Sequence, residues 1–240
     1  MTFPLSLSYI SPHWPAPRHI KAMTITRQSD INMTPDDTPE HIAANRQKLI
    51  QKFNLPSEPI WLKQTHSNQV IRNPSANVQR PIQADAIISN MANILCPILT
   101  ADCLPLLLCD QKGKEIAAVH AGWRGLATSI IGKTITAMMT ESNELLAWLG
   151  PAIGPHHYEV GQEVFEQFPK QNHCFQSKAH GKWLMNLYAI ATFQLKEQGV
   201  NQIFGGEFCT YSDAERFYSY RREKGKTGRM VSLIWIEDEA

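Results

Sequence analysis

The sequence predicts a single-domain, mixed α/β fold. Its 240 residues suit one large domain. Apolar runs of strand length alternate with helical patterns along the chain. The turns near Asp102 and Asp110 are too short for parallel crossovers, so the sheet should mix parallel and antiparallel pairs. The whole span 1–240 reads as one domain, with 1–23 as an N-terminal extension, and shows no internal repeat or linker.

Each element has a local reason. Thr38 to Phe53 reads as a helix, with Thr38 as N-cap, Pro39 in the first turn and Ile42, Leu49 and Phe53 on one face, ended by Asn54. Ile60 to Leu62 is a short strand running into polar Lys63 to Asn68, which places His66 at a strand end. Strands follow at Ala86 to Ile88, Ile94 to Thr100, Leu104 to Cys109 and Glu115 to His120, and Gly122 to Gly125 then opens a helix over Leu126 to Met139. Leu145 to Leu149 is another strand, stopped by the turn-rich Gly150 to Pro155. Helices are expected at Gln162 to Phe168 and Asn186 to Gln198, the second closed by Gly199. Gln202 to Cys209 and Val231 to Ile236 complete the strands.

Composition excludes several classes of function. Lys and Arg number 23 against 22 Asp and Glu, a net charge of +1, which argues against a nucleic-acid or acidic-lipid binder held by electrostatics. The richest apolar run, Asn93 to Asp110, is cut by Pro97, Asp102 and Pro105, short of the roughly 20 residues that cross a bilayer. The first twenty residues do not read as a secretory signal, and five unpatterned cysteines suit a reducing compartment, so a cytoplasmic address is expected.

Three metal-ligand types stand at strand ends: His66, Cys103 and His120. Their separations do not match a compact zinc finger, but catalytic ligands come from separate elements, and two histidines with a thiolate suit a zinc site with one position open. Asp102 beside the thiol needs donors or a cation and is a candidate acid or base. Asp85 is a candidate to orient a ligand, and Cys96 and Cys109 read as core. Arg124, at a helix start, suits an anion held with the N–H groups of Gly122 to Leu126. In the aromatic, basic loop from Phe217 to Arg229, Arg221 and Arg229 are assigned to anion binding, and Lys224 and Lys226 to solvated surface. His156 and His157 read as a cap on the Gly-Pro loop.

Six blocks carry a family resemblance: Gln64 to His66, Thr100 to Pro105, Val119 to Gly125, Gly150 to Gly154, Tyr158 to Gly161, and Tyr218 to Arg222 through Thr227 to Arg229. Together, over about Thr24 to Trp235, the chain resembles the YfiH or laccase-domain family, described as purine nucleoside phosphorylases. That resemblance implies a four-layer α/β/β/α fold related to the deamidating cytotoxic necrotizing factor toxins. It also implies zinc on His66, Cys103 and His120, and phosphorolysis of adenosine, inosine, guanosine and methylthioadenosine, plus adenosine deamination. His66, Cys103, His120 and Asp102 are the expected catalytic set, and Arg124, Arg221, Arg229 and Tyr220 the expected substrate contacts. Where relatives carry a Gly-Gly-Val-Ser segment after the Thr-Thr-Arg-like strand, Arg27 leads straight to Gln28-Ser29-Asp30, so the N-terminal rim of the pocket is expected to be short.

The expected partners are purine nucleosides and phosphate, with no nucleic acid or membrane, in a monomer or weak homodimer. Three other functions fit some of the same residues. Cys103 and His120 could form a thiol hydrolase or amidase acting on peptidoglycan precursors. A copper-dependent polyphenol oxidase fits less well, because the nine histidines form no H-x-H pair. A structural zinc domain would need a fourth protein ligand.

Overall fold

The computed structural model describes residues 8–34, 37–75 and 81–238. In chain order the strands are β1 (Tyr9–Ile10), β2 (Ile20–Ile25), β3 (Leu62–Lys63), β4 (Val70–Arg72), β5 (Ile82–Gln83), β6 (Ala86–Ser89), β7 (Cys96–Thr100) and β8 (Leu104–Asp110). They continue as β9 (Ile116–Ala121), β10 (Leu145–Leu149), β11 (Glu159–Gly161), β12 (Phe175–Ser177), β13 (Lys182–Met185), β14 (Gln202–Gly205) and β15 (Met230–Ile236). The α-helices are α1 (Pro39–Phe53), α2 (Trp123–Ala127), α3 (Ile130–Ala137), α4 (Gln162–Phe165) and α5 (Leu187–Glu197).

Two sheets form the centre. One is antiparallel throughout, in the order β1-β2-β15-β7. The other, β14-β10-β8-β9-β6-β4, is mixed, with parallel pairs at both edges and antiparallel pairs between. The period-2 alternation of strand side chains sorts residues among three cores. Leu104, Leu106 and Leu108 of β8 face α2, α3 and α5, whereas Leu107 and Cys109 face the other sheet. In β15, Ile234 and Ile236 point between the sheets, and Val231, Leu233 and Trp235 point at Leu49, Ile50 and Phe53 of α1. The layers therefore run helix, sheet, sheet, helix.

The expected mixed architecture is present, with local differences. Helix α1 has its predicted bounds: Thr38 Oγ1 accepts from His41 N–H (3.3 Å), and Asn54 closes it at φ 47°. The helix expected over Leu126 to Met139 is broken into α2 and α3. Ser129 adopts φ 64°, while the Thr128 hydroxyl donates to the Arg124 carbonyl (2.9 Å), a local bond that competes with helix propagation. Helix α4 stops at Phe165. The strand expected to reach Cys209 ends at Gly205, whose φ is 78° and where a Cβ would lie 2.4 Å from the Leu149 carbonyl oxygen. The strand expected from Ile60 to Leu62 is instead Leu62–Lys63. Of the N-terminal extension, residues 1–7 lie outside the described residues. Residues Ile20–Ile25 pair with β15 in the antiparallel sheet.

The two short connections differ. At Asp110 the chain makes an antiparallel hairpin, the Asp110 carboxylate accepting from Lys112, Lys114 and Glu115 N–H groups. At Ala101 to Cys103 it passes from one sheet to the other, since β7 and β8 belong to different sheets. That corner carries the thiol.

Candidate active site

Three separate elements bring His66, Cys103 and His120 together. His66 follows β3, Cys103 sits in the corner between the sheets, and His120 lies near the end of β9, sharing the parity of Ile116 and Ala118, which face between the sheets. One ligand atom from each residue lies within 4.8 Å of the others; among the described residues this is the one such group of His, Cys, Asp or Glu. The imidazoles are 4.8 Å apart between centroids, and Cys103 Sγ is 3.9 Å from His66 Nε2.

Asp85 organises the group from beneath. It is fully buried. Its Oδ2 accepts from Thr65 N–H (3.2 Å), Ser67 N–H (2.7 Å) and the Ser67 hydroxyl (2.6 Å), and its Oδ1 accepts from His66 N–H (3.0 Å). The same Oδ1 lies 2.8 Å from His120 Nδ1. Burial would raise the Asp85 pKa, but the hydrogen bonds from His120 and Ser67 hold it well below the usual carboxylate range. One carboxylate thus holds the backbone around His66 and orients the His120 ring, leaving His120 Nε2 for the site.

Without a metal, Cys103 and His120 each favour the charged form of the other. Burial would raise the Cys103 thiol, but the charge and hydrogen bonds of His120, then of His66, outweigh it and bring the pKa to about 6. Burial would lower the His120 pKa, but the Cys103 thiolate and Asp85 raise it to about 9. Cys96 and Cys109 have no such partners and are buried in the inter-sheet core; burial, with Asp110 alongside, pushes Cys109 up to about 12. Two imidazole nitrogens and a sulfur form a borderline-soft donor set that suits a divalent transition metal or zinc. Gly122, which follows β9, keeps the site open: a Cβ there would lie 3.0 Å from Cys103 Sγ and 3.2 Å from His66 Cδ2.

Two residues at the site hold left-handed backbone, His66 at φ 59° and Asp102 at φ 87°. Such conformations cost energy and persist where surrounding bonds over-determine them. Asp102, expected as an acid or base, has both oxygens engaged. Oδ1 accepts from the Thr210 hydroxyl (2.6 Å) and Oδ2 from Arg221 N–H (2.7 Å). It anchors the Ser219 to Arg222 turn against the sheet corner.

The triad lines a cavity of about 910 Å³. Arg46, Lys63, Arg124, Arg221 and Arg229 line it as well, and among the described residues Asp102 is the acidic one in its wall. Arg124 stacks over Trp123 (4.4 Å), and Arg229 lies 5.8 Å from the exposed Tyr220 ring. Arg221 donates to the Glu159 carbonyl (2.9 Å) and lies over Tyr158 (5.3 Å). Burial and the nearby Cys103 thiolate push the Tyr158 phenol upward, so it remains a neutral O–H. Helix α2, behind Arg124, has only five residues. His157 stacks on Tyr211 (4.3 Å), and neither His156 nor His157 belongs to the ligand group. Lys224 and Lys226 are exposed. The sequence reading missed Arg46 and Trp61, which come from α1 and the approach to β3. An arginine on a helix's polar side carries no local sign of a cavity.

Residues 22–237 match the family described as multi-copper polyphenol oxidoreductase laccase, and the chain belongs to that family. Its relatives carry a more specific name. A Haemophilus influenzae protein called purine nucleoside phosphorylase is 41% identical, with 95% of this chain and 99% of that protein covered. Purine nucleoside phosphorylase YfiH of Escherichia coli K12 is 42% identical, with 95% and 98% covered. A crystal structure of a Neisseria meningitidis protein superposes with a TM-score of 0.90 at 39% identity, covering 96% of this chain and all of that one. YlmD of Geobacillus stearothermophilus shares the fold, with a TM-score of 0.90 at 22% identity over 99% and 98% of the two chains. No helix among the described residues is long and apolar enough to cross a membrane.

Proposed function

We propose that this chain is a purine nucleoside phosphorylase that works with a zinc ion held by His66, Cys103 and His120. The observation that carries the reading is the convergence of two imidazoles and a low-pKa thiol at the wall of a cation-lined cavity. The names of relatives at 41% and 42% identity supply the substrate class. When bound, zinc would act as a Lewis acid that polarises a substrate oxygen or nitrogen.

The chain's own groups supply positioning and charge. Arg124 and Arg221 suit the phosphate dianion, since a guanidinium offers paired donors to its oxygens. Arg221 is steadied at both ends, its N–H on Asp102 and its guanidinium on the Glu159 carbonyl. Asp102 acts in this scheme as a positioning residue. Tyr220 and Arg229 form an aromatic and cationic flank for the purine, and the neutral Tyr158 offers a hydroxyl donor. In the reaction a phosphate oxygen bonds to C1′ as the glycosidic C–N bond breaks; the bonding pair leaves with the purine, which takes up a proton. Ribose 1-phosphate and the free base result. Methylthioadenosine phosphorolysis and adenosine deamination at the same site belong to the same proposal.

The test is incubation of metal-assayed protein with adenosine, with and without phosphate. Phosphate-dependent adenine formation that disappears in Cys103→Ala is the expected result; inosine formation without phosphate reports the deaminase. Turnover unchanged in Cys103→Ala overturns the reading. The thiolate paired with His120 favours one alternative, a thiol hydrolase acting on amides. Protein that purifies without metal and whose amide hydrolysis is blocked by thiol alkylation would favour it.

A further inference from the structure

The cavity has an end on the α1 side that the scheme above leaves unused. Met33, Ile42, Arg46, Trp61 and Lys63 wall it. The Arg46 guanidinium stacks over Trp61, 4.7 Å from the ring centroid, which orders the group at the cavity wall. Its Nε is buried and has no hydrogen-bond partner. Glu58, the acidic group that faces Arg46 electrostatically, instead accepts from Trp61 Nε1 (3.2 Å). Nε is enclosed, so what Arg46 offers the cavity it lines is the positive charge of a guanidinium fixed against Trp61. Lys63 adds a second cation, and Met33 and Ile42 an apolar flank.

The two ends share one wall. Trp61, Leu62, Lys63, Gln64 and His66 all line the cavity, and five residue steps span at most about 17 Å. The volume of about 910 Å³ lies near the top of the roughly 300–1,000 Å³ range of pockets for drug-sized ligands, which leaves room beyond a nucleoside.

We propose that the α1 end is a phosphoryl subsite, with Arg46 and Lys63 as its cations, and that the cavity takes a purine nucleotide lying along the Trp61–His66 wall. The inference rests on the purine reading of the metal end. A guanidinium fork and an ammonium suit a phosphoryl dianion better than an uncharged sugar.

Calorimetric titration of metal-assayed protein with AMP, adenosine and inorganic phosphate separately tests it, in the native sequence, Arg46→Gln and Lys63→Gln. AMP is expected to bind about tenfold or more tighter than adenosine, and Arg46→Gln to remove most of that advantage. Lys63→Gln, at an exposed position, should reduce it severalfold, and adenosine titration of each variant reports an intact fold. The proposal is overturned if AMP binds no tighter than adenosine, or if its advantage survives both substitutions. It is also overturned if only inorganic phosphate loses affinity in Arg46→Gln, which would make this end a free-phosphate site. Arg46-dependent AMP binding without any phosphorolysis of adenosine supports the subsite and refutes the phosphorylase reading instead.

Discussion

Asp85→Asn changes one atom and should disable the proposed metal site. The carboxylate is fully buried and serves five donors: the N–H groups of Thr65, His66 and Ser67, the Ser67 hydroxyl, and His120 Nδ1. An amide must place its NH2 group against one set. Facing Thr65 and Ser67, it leaves two backbone N–H groups unpaired. Facing His120, it forces Nδ1 to accept and moves the ring proton to Nε2, the nitrogen needed by a metal. At about 1–3 kcal/mol for each orphaned buried donor, two such donors put the expected loss of stability at about 2–6 kcal/mol. Metal affinity should fall about 10–100-fold, the usual effect of losing a group that orients a ligand. Because the folded Asp85 pKa lies below its unfolded value of about 3.9, its contribution is present above that value and is lost only as pH falls through the folded pKa. The Asn variant should therefore be flatter in acid. Urea unfolding and competitive zinc dialysis provide the assays. A variant within about 0.5 kcal/mol of the native protein, the range of a neutral surface change, that also binds zinc equally well would refute this account.

Three further outcomes follow from the same geometry. In metal-free protein, alkylation of Cys103 by iodoacetamide should rise with a midpoint near pH 6 and be blocked by zinc; a midpoint near 8.5 would dissolve the thiolate–imidazolium pair. Gly122→Ala has an ordinary backbone angle, φ −73°, yet its methyl would meet Cys103 Sγ and His66, so zinc affinity should drop about tenfold or more while the melting temperature barely moves. Asp102→Ala strands the Thr210 hydroxyl and Arg221 N–H. It should cost about 2–4 kcal/mol in denaturant unfolding and raise KM for phosphate more than it lowers kcat, whereas a collapse of kcat alone would return Asp102 to an acid–base role.

The strands and caps were readable because their causes are local. Thr38, Pro39 and Asn54 bound α1 through contacts within a few residues, and the apolar runs at Leu104 to Cys109 and Leu145 to Leu149 are strands because no other element of that length buries both faces. The triad was readable as ligand types at strand ends and through family blocks, and Asp85 as a candidate to orient one of those ligands; its burial was not. Which sheet a strand joins was not readable. A run such as Cys96 to Thr100 has the same pattern whether it pairs with β15 or with β8, and the choice is made by partners far away in the chain. The break at Ser129, the anchoring of Asp102 by Thr210 more than a hundred residues away, and the arrival of Arg46 over Trp61 depend on the same non-local packing. Residue type and local pattern decided which groups were available for chemistry; the stacking of two sheets decided which of them meet, because only a closed three-dimensional core brings distant side chains within bonding range.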